Sequence, residues 1–171
     1  MFSPGKNFKA RPTTDFAREN LFNILNNRYD FDELKVLDLF SGTGSISFEF
    51  ASRGCSDISL VEFDHVHFSF IYSVIKQLEI SEIVKPYKAD VFKFINRTTD
   101  KFDLIFADPP YELKRLAELP DLILNKQLLS NENSIFILEH GKTNDFSTHP
   151  NLTELRVYGS VHFSFFKSNS H

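Results

Sequence analysis

Four residues late in the first two thirds of the chain have the types and spacing to do chemistry: Asp108-Pro109-Pro110-Tyr111. They follow Phe102-Asp103-Leu104-Ile105-Phe106-Ala107, a short apolar run that reads as a buried strand. Proline lacks the N–H that a central strand needs, so Pro109 ends the strand and stiffens the turn. Asp108 and Tyr111 are then held on a rigid hook at the carboxyl edge of a sheet, where open α/β folds bind ligands.

A second group lies upstream in Val36-Leu37-Asp38-Leu39-Phe40-Ser41-Gly42-Thr43-Gly44-Ser45. An apolar run ends in an acid, crosses a Gly-x-Gly turn and opens into a helix over residues 45–52. Glycine lets the backbone come close to a ligand. The first-turn N–H groups of the following helix point at the same spot. Many α/β chains turn this way for packing alone, so the turn needs company. Ile58-Ser59-Leu60-Val61-Glu62 supplies it, with an acid eighteen residues after Gly44. That is where a doubly wound sheet hydrogen-bonds a ribose.

These residues need elements to hold them. Thr13 or Thr14 caps a helix with Asp15 in its first turn and Phe16, Leu21, Phe22, Ile24 and Leu25 on its apolar face. Strands are expected at 35–40, 58–63, 83–87, 102–107 and 134–140, with helices at 65–78 and 113–124. Residues 155–158 and 161–166 alternate with period two on either side of Gly159-Ser160, which reads as a strand pair. The expected architecture is one α/β domain over residues 1–171: a Rossmann-like, doubly wound, mostly parallel seven-stranded sheet with an antiparallel C-terminal edge strand. Residues 1–10 form a short irregular lead, and 168–171 a disordered tail.

The combination resembles the S-adenosylmethionine-dependent methyltransferases that modify exocyclic amines. Arg11-Pro12-Thr13-Thr14-Asp15, Leu21-Phe22-Asn23-Ile24-Leu25 and Asp38-Leu39-Phe40-Ser41-Gly42-Thr43-Gly44 narrow it. Together they resemble the bacterial family that methylates a guanine N2 in small-subunit (16S) ribosomal RNA, from about Arg11 to Phe166. The resemblance implies S-adenosyl-L-methionine as cofactor, with Arg11 and Thr13 near its methionine end and Phe40, Ser41, Gly42 and Gly44 lining that portion. It gives the amino group to Asp38, the ribose to Glu62 and the adenine to Asp90 and Val91. Asp90 also reads as a plain helix cap, and the two roles are compatible. Asp108, also counted among the cofactor-binding residues, and the Pro109 carbonyl would accept hydrogen bonds from the target amine, Pro110 would complete the hook, and Tyr111 would stack on the base. The family begins with a longer basic segment than the lead seen here.

Composition sets bounds. Cys55 is the single cysteine, so no internal disulfide forms, which fits a reducing cytoplasm. No apolar run approaches a membrane span, and the N-terminus lacks the apolar core of a signal peptide. His65 and His67 have no third ligand at fitting spacing, so no metal is expected. The 20 phenylalanines read as core filling where tryptophan is absent. A net charge of −4 speaks against a nucleic-acid partner, but Lys6, Lys9, Arg11, Arg18, Lys114 and Arg115 can form a local basic rim. The expected partner is small-subunit ribosomal RNA or the assembling small subunit, with no membrane, and the protein a monomer. Alternatives are transfer to an adenine N6 or a glutamine amide, and a non-catalytic RNA-binding assembly factor. A nicotinamide dehydrogenase ranks last, because the further glycine after Gly44 is missing.

Overall fold

In the computed structural model residues 14–169 are described; Arg11 and Thr13 lie outside them. Seven strands form one sheet: β1 (Lys35–Leu39), β2 (Asp57–Glu62), β3 (Val84–Lys88), β4 (Leu104–Ala107), β5 (Ile135–His140), β6 (Leu152–Tyr158) and β7 (Val161–Phe166). Their order is β3-β2-β1-β4-β5-β7-β6. β1 to β5 run parallel, while β7 pairs antiparallel with both β5 and β6. The chain reverses between β1 and β4, the switch point at which such sheets bind ligands.

Five helices cover the sheet: α1 (Asp15–Arg28), α2 (Ser45–Ser52), α3 (His65–Leu78), α4 (Val91–Arg97) and α5 (Leu119–Asn125). Alternate strand residues feed two cores. Val36, Ile58, Leu60, Leu104 and Phe106 pack with Phe22, Phe50, Ile71 and Ile75 of α1 to α3. Leu37, Leu39, Val61, Ile105 and Leu138 pack with Val91, Ile95, Leu119 and Ile123 of α4 and α5. A sheet buried on both faces explains why β1, β4 and β5 read as nearly continuous apolar runs. The buried phenylalanines fill volume, as in the contacts of Phe22 with Phe31 and Phe50; each fully buried ring contributes roughly 1.5–3 kcal/mol.

The helix starts are fixed by short polar side chains. Thr14 Oγ1 accepts from the Ala17 amide at 3.2 Å, Asp64 from His67 at 2.9 Å and Asp90 from Lys93 at 3.0 Å. One expected helix is corrected. Residues 113–124 do not form one continuous helix: a single 3-10 turn at Leu116–Glu118 precedes α5. Pro120 is the reason, since its ring excludes a helical turn before it and suits the first turn of α5. β4 begins at Leu104 rather than Phe102, which makes only a lone bridge to Leu129. The Asp103 carboxylate is drawn aside to accept the Lys35 amide at 2.8 Å. β6 starts earlier than expected, at Leu152, through an irregular register between Leu152 and Glu154.

Candidate functional site

The loop and the hook leave neighbouring strands at the same edge. Leu39 of β1 stands opposite Ala107 of β4, and the Asp108 amide donates to the Leu39 carbonyl at 3.3 Å. The residues that follow, Phe40 to Gly44 and Asp108 to Tyr111, are thereby brought side by side. Two groups that are far apart in sequence become one site.

The loop is built by unusual backbone. Phe40, Gly42 and Gly44 all have positive φ, at 55°, 57° and 81°. Phe40 pays for this conformation with packing, its ring edge-on to Phe92 at 6.3 Å. Gly44 caps α2 without a side chain. A Cβ there would lie 2.8 Å from Phe48 Cε2, so glycine is required by space as well as by φ. Ser41 is tied to β2 by its amide and its hydroxyl, both donating to the Val61 carbonyl at 3.1 and 3.2 Å.

Glu62, at the tip of β2, clamps the loop. One carboxylate oxygen accepts the Gly42 amide at 2.7 Å and the other the Asp64 amide at 2.9 Å. Each oxygen keeps a second lone pair. His67 Nδ1 lies 3.8 Å from Glu62 and 3.5 Å from Asp64.

Asp38 is buried near the end of β1 and bonded to α2. It is 1% exposed and accepts a 2.7 Å hydrogen bond from Ser47 Oγ of α2. Burial pushes its carboxyl up to about 7, against the opposing pull of the Ser47 hydrogen bonds and with a smaller push from Glu62. Ser47 carried no signal in the sequence beyond its place one turn into the helix. Asp90 starts α4, and Val91 is buried behind it.

On the other side, Pro109 is buried and Pro110 exposed. The Pro110 carbonyl accepts the Leu113 amide at 3.0 Å, closing the turn. The Tyr111 hydroxyl donates to Glu139 Oε2 of β5 at 3.2 Å. Its ring lies against the backbone of Gly141, where a Cβ would come within 2.8 Å of the ring. Gly141 was not singled out by sequence; only the fold shows that it makes room for Tyr111.

His140 is no base. Its Nδ1 is 2.8 Å from the Gly141 carbonyl, which only accepts, so Nδ1 carries the proton and Nε2 accepts from Ser164 Oγ at 2.7 Å. Burial lowers its pKa, and the ring is a neutral structural group. Two arginines of the expected basic rim have acidic partners. Arg18 pairs with Asp15 at 2.8 Å and Arg115 with Glu118 at 3.3 Å, while Lys6, Lys9 and Arg11 lie outside the described residues. Among the described residues no helix is long and apolar enough to cross a membrane.

Comparison with known proteins identifies the family and the fold. A putative rRNA methyltransferase of Bacillus subtilis, YlbH, is 32% identical over 147 residues, covering 81% of this chain and 78% of the relative. Ribosomal RNA small subunit methyltransferase D of Buchnera aphidicola is 28% identical over 159 residues, covering 91% and 80%. Among solved structures, a putative methyltransferase of Escherichia coli, yhhF, superposes with a TM-score of 0.80 at 24% identity, covering 94% of this chain and 89% of that one. A SAM-dependent methyltransferase of Agrobacterium tumefaciens superposes with a TM-score of 0.68 at 20% identity, covering 89% and 62%. The family model described as conserved hypothetical protein 95 matches residues 2–167. A match over nearly the whole chain, on a sheet that joins the glycine loop to the Asp-Pro-Pro-Tyr hook, makes this protein a member of that family, the one that includes the ribosomal RNA small subunit methyltransferases D.

Proposed function

We propose that the protein transfers a methyl group from S-adenosyl-L-methionine to the exocyclic N2 of a guanine in small-subunit ribosomal RNA. The observation that carries the reading is the junction of loop and hook, fixed by the Leu39–Ala107 register and the Asp108 amide bond to Leu39. It sets the glycine loop beside the Asp-Pro-Pro-Tyr turn, as a cofactor loop next to an amine acceptor would require. One of the relatives is a ribosomal RNA small subunit methyltransferase and another a putative rRNA methyltransferase, which supports the substrate class.

The donor set fits the cofactor. Glu62 retains lone pairs for two ribose hydroxyls while its present partners hold it rigid. Gly44 leaves the start of α2 without a side-chain cap. Asp90, the cap of α4, would accept a hydrogen bond from the adenine amine. Asp38 braces α2 through Ser47 and so supports the loop. When bound, the cofactor supplies a methyl group that its sulfonium has already activated.

The chain must therefore orient the acceptor. A guanine N2 has its lone pair delocalised into the ring. Asp108 and the Pro109 carbonyl accept hydrogen bonds from its two hydrogens, which favours a pyramidal nitrogen. Tyr111, pinned by Glu139 and Gly141, offers a ring face on which the base stacks. No general base is required of His140.

The test is transfer of radiolabelled methyl groups to undermodified small-subunit particles, with the RNA digested and its nucleosides separated. A labelled N2-methylguanosine peak is expected. Label in N6-methyladenosine, or in protein glutamine, would replace the acceptor. Cofactor binding with no label in any fraction would leave the assembly-factor reading.

A further inference from the structure

Away from the junction of loop and hook, one face combines exposed aromatic rings with cations. β3 is one of the two edge strands of the sheet. Between it and α4 lies an open groove of about 710 Å³, lined by Tyr87 and Lys88 of β3 and Lys93, Phe94 and Arg97 of α4. Tyr87 is 41% exposed and its ring tilts against Phe94, with centroids 5.3 Å apart. At one end Lys88 Nζ stands 5.6 Å from the ring centroid of Phe63. Two carboxylates also line the groove, and each has a partner: Asp90 accepts the Lys93 amide, and Asp100 lies 3.9 Å from Lys35 Nζ. Among the described residues no ion pair involves Lys88, Lys93 or Arg97, unlike Arg18, Arg28, Arg53 and Arg115.

Two kinds of partner compete for such an edge. Strand addition is disfavoured, because Pro86 removes a backbone donor from the middle of β3 and exposed Lys85 and Lys88 flank it. Contact must come through side chains. Cations that track phosphates, interleaved with ring faces that accept any base, are what single-stranded nucleic acid requires. In a chain of net charge −4, this concentration of cations is a local departure.

We propose that the β3–α4 groove binds a single-stranded stretch of the substrate RNA that flanks the methylated base, with Tyr87 and Phe94 stacking on bases and Lys88, Lys93 and Arg97 holding phosphates. The proposal rests on the RNA reading above and adds a docking surface to it. The groove begins beside Asp90 and continues away from it along α4 to Thr98 and Thr99. β3 stands three strand spacings from β4, about 14 Å, so RNA in the groove and a base at Asp108 belong to one continuous strand.

The experiment measures binding of a short fluorescent single-stranded RNA to the full chain across a salt series, separately from methyl transfer. Lys93→Ala with Arg97→Ala should flatten the slope of log affinity against log salt by about 1.4, since each phosphate contact on a single strand contributes about 0.7. Tyr87→Ala should weaken binding by about 5- to 150-fold, the loss of one stacked base. Thermal melting and affinity for S-adenosylhomocysteine should stay at wild-type values in both. Unchanged RNA affinity and salt slope in both variants would overturn the proposal, as would a wild-type chain that binds no single-stranded RNA. It would equally fall if the variants bound RNA normally and lost methylation only on assembled particles, for the groove would then dock a protein. Groove-dependent RNA binding without any methyl transfer would sustain it while removing the guanine-N2 reading.

Discussion

The two halves of the site are stabilised on different plans. On the β1–β2 side, hydrogen bonds within the chain hold the polar groups: Glu62 takes the Gly42 and Asp64 amides, Asp38 takes Ser47, and Ser41 reaches Val61. On the β4–β5 side, prolines fix the turn and a ring rests on a glycine, with Tyr111 donating to Glu139 at 3.2 Å. The first half surrounds buried carboxylates, which are costly unless satisfied, so it is a rigid cradle assembled on folding. The second also rests on a buried carboxylate, Glu139, but its turn, with Pro110 exposed, takes its stiffness from φ restraint.

If the halves are separable, Asp108→Ala should break one and spare the other. Methyl transfer to small-subunit RNA should fall by about 10²–10³-fold, the usual loss when one preorganised polar group is removed. S-Adenosylhomocysteine affinity, read by calorimetry, should change by less than about threefold. A parallel loss of cofactor affinity would mean that the hook and the cradle are one unit.

The cradle has its own signature in pH. The folded carboxyl of Asp38 titrates near 7, above the ordinary value of about 3.9 for an unfolded chain. Between these values the folded state holds a proton that the unfolded state has released. The contribution of Asp38 is therefore fully present below about pH 4, declines as pH rises towards 7 and is flat above it. Asp38→Asn should remove this decline, a difference on the order of 1–4 kcal/mol across the window. Denaturant midpoints for both proteins at pH 5 and pH 8 would measure it, and identical pH slopes would refute it.

Sequence made the cradle and the hook legible to different depths. Strand–glycine loop–helix and strand–Asp-Pro-Pro-Tyr are local patterns, and the strand order that joins them follows from a doubly wound sheet. The partners were not legible. Ser47, Glu139 and Gly141 act across elements, and nothing in the spacing of Ser47 from Asp38 tells a buried brace from a solvated serine. The same holds for the β3–α4 groove, whose Tyr87, Lys93 and Arg97 lie on two elements that only the fold sets side by side. The helix expected over 113–124 failed at Pro120, a residue whose rule was available in the sequence but was outweighed by the apolar spacing around it.

Gly44→Ala sharpens the account of the loop. The new side chain must adopt φ near 81° and meet Phe48 at 2.8 Å, for a loss of about 1–3 kcal/mol. Gly159→Ala is the matched control: φ is 62° with no atom within 4 Å of the added Cβ, so the backbone cost alone applies, about 1 kcal/mol. Thermal unfolding should rank Gly44→Ala below Gly159→Ala, and only the first should also weaken S-adenosylhomocysteine binding. Equal losses would show that crowding against Phe48 is relieved at no cost.

Tyr111→Phe makes the smallest change and asks what holds the hook. It deletes one hydroxyl, leaves the ring on Gly141 and takes one donor from the buried carboxylate of Glu139. Stability should drop by about 0.5–1.5 kcal/mol, the net worth of one hydrogen bond. If the ring face is what the base uses, the KM for RNA should stay within about threefold, whereas Tyr111→Ala should raise it by the loss of a stacked base, about 1–3 kcal/mol. Should Tyr111→Phe raise KM as much as Tyr111→Ala, the tether to Glu139 rather than the ring would be the working part. The hook would then resemble the cradle after all, a site held by its hydrogen bonds, and the contrast between the two halves would reduce to the prolines of the turn.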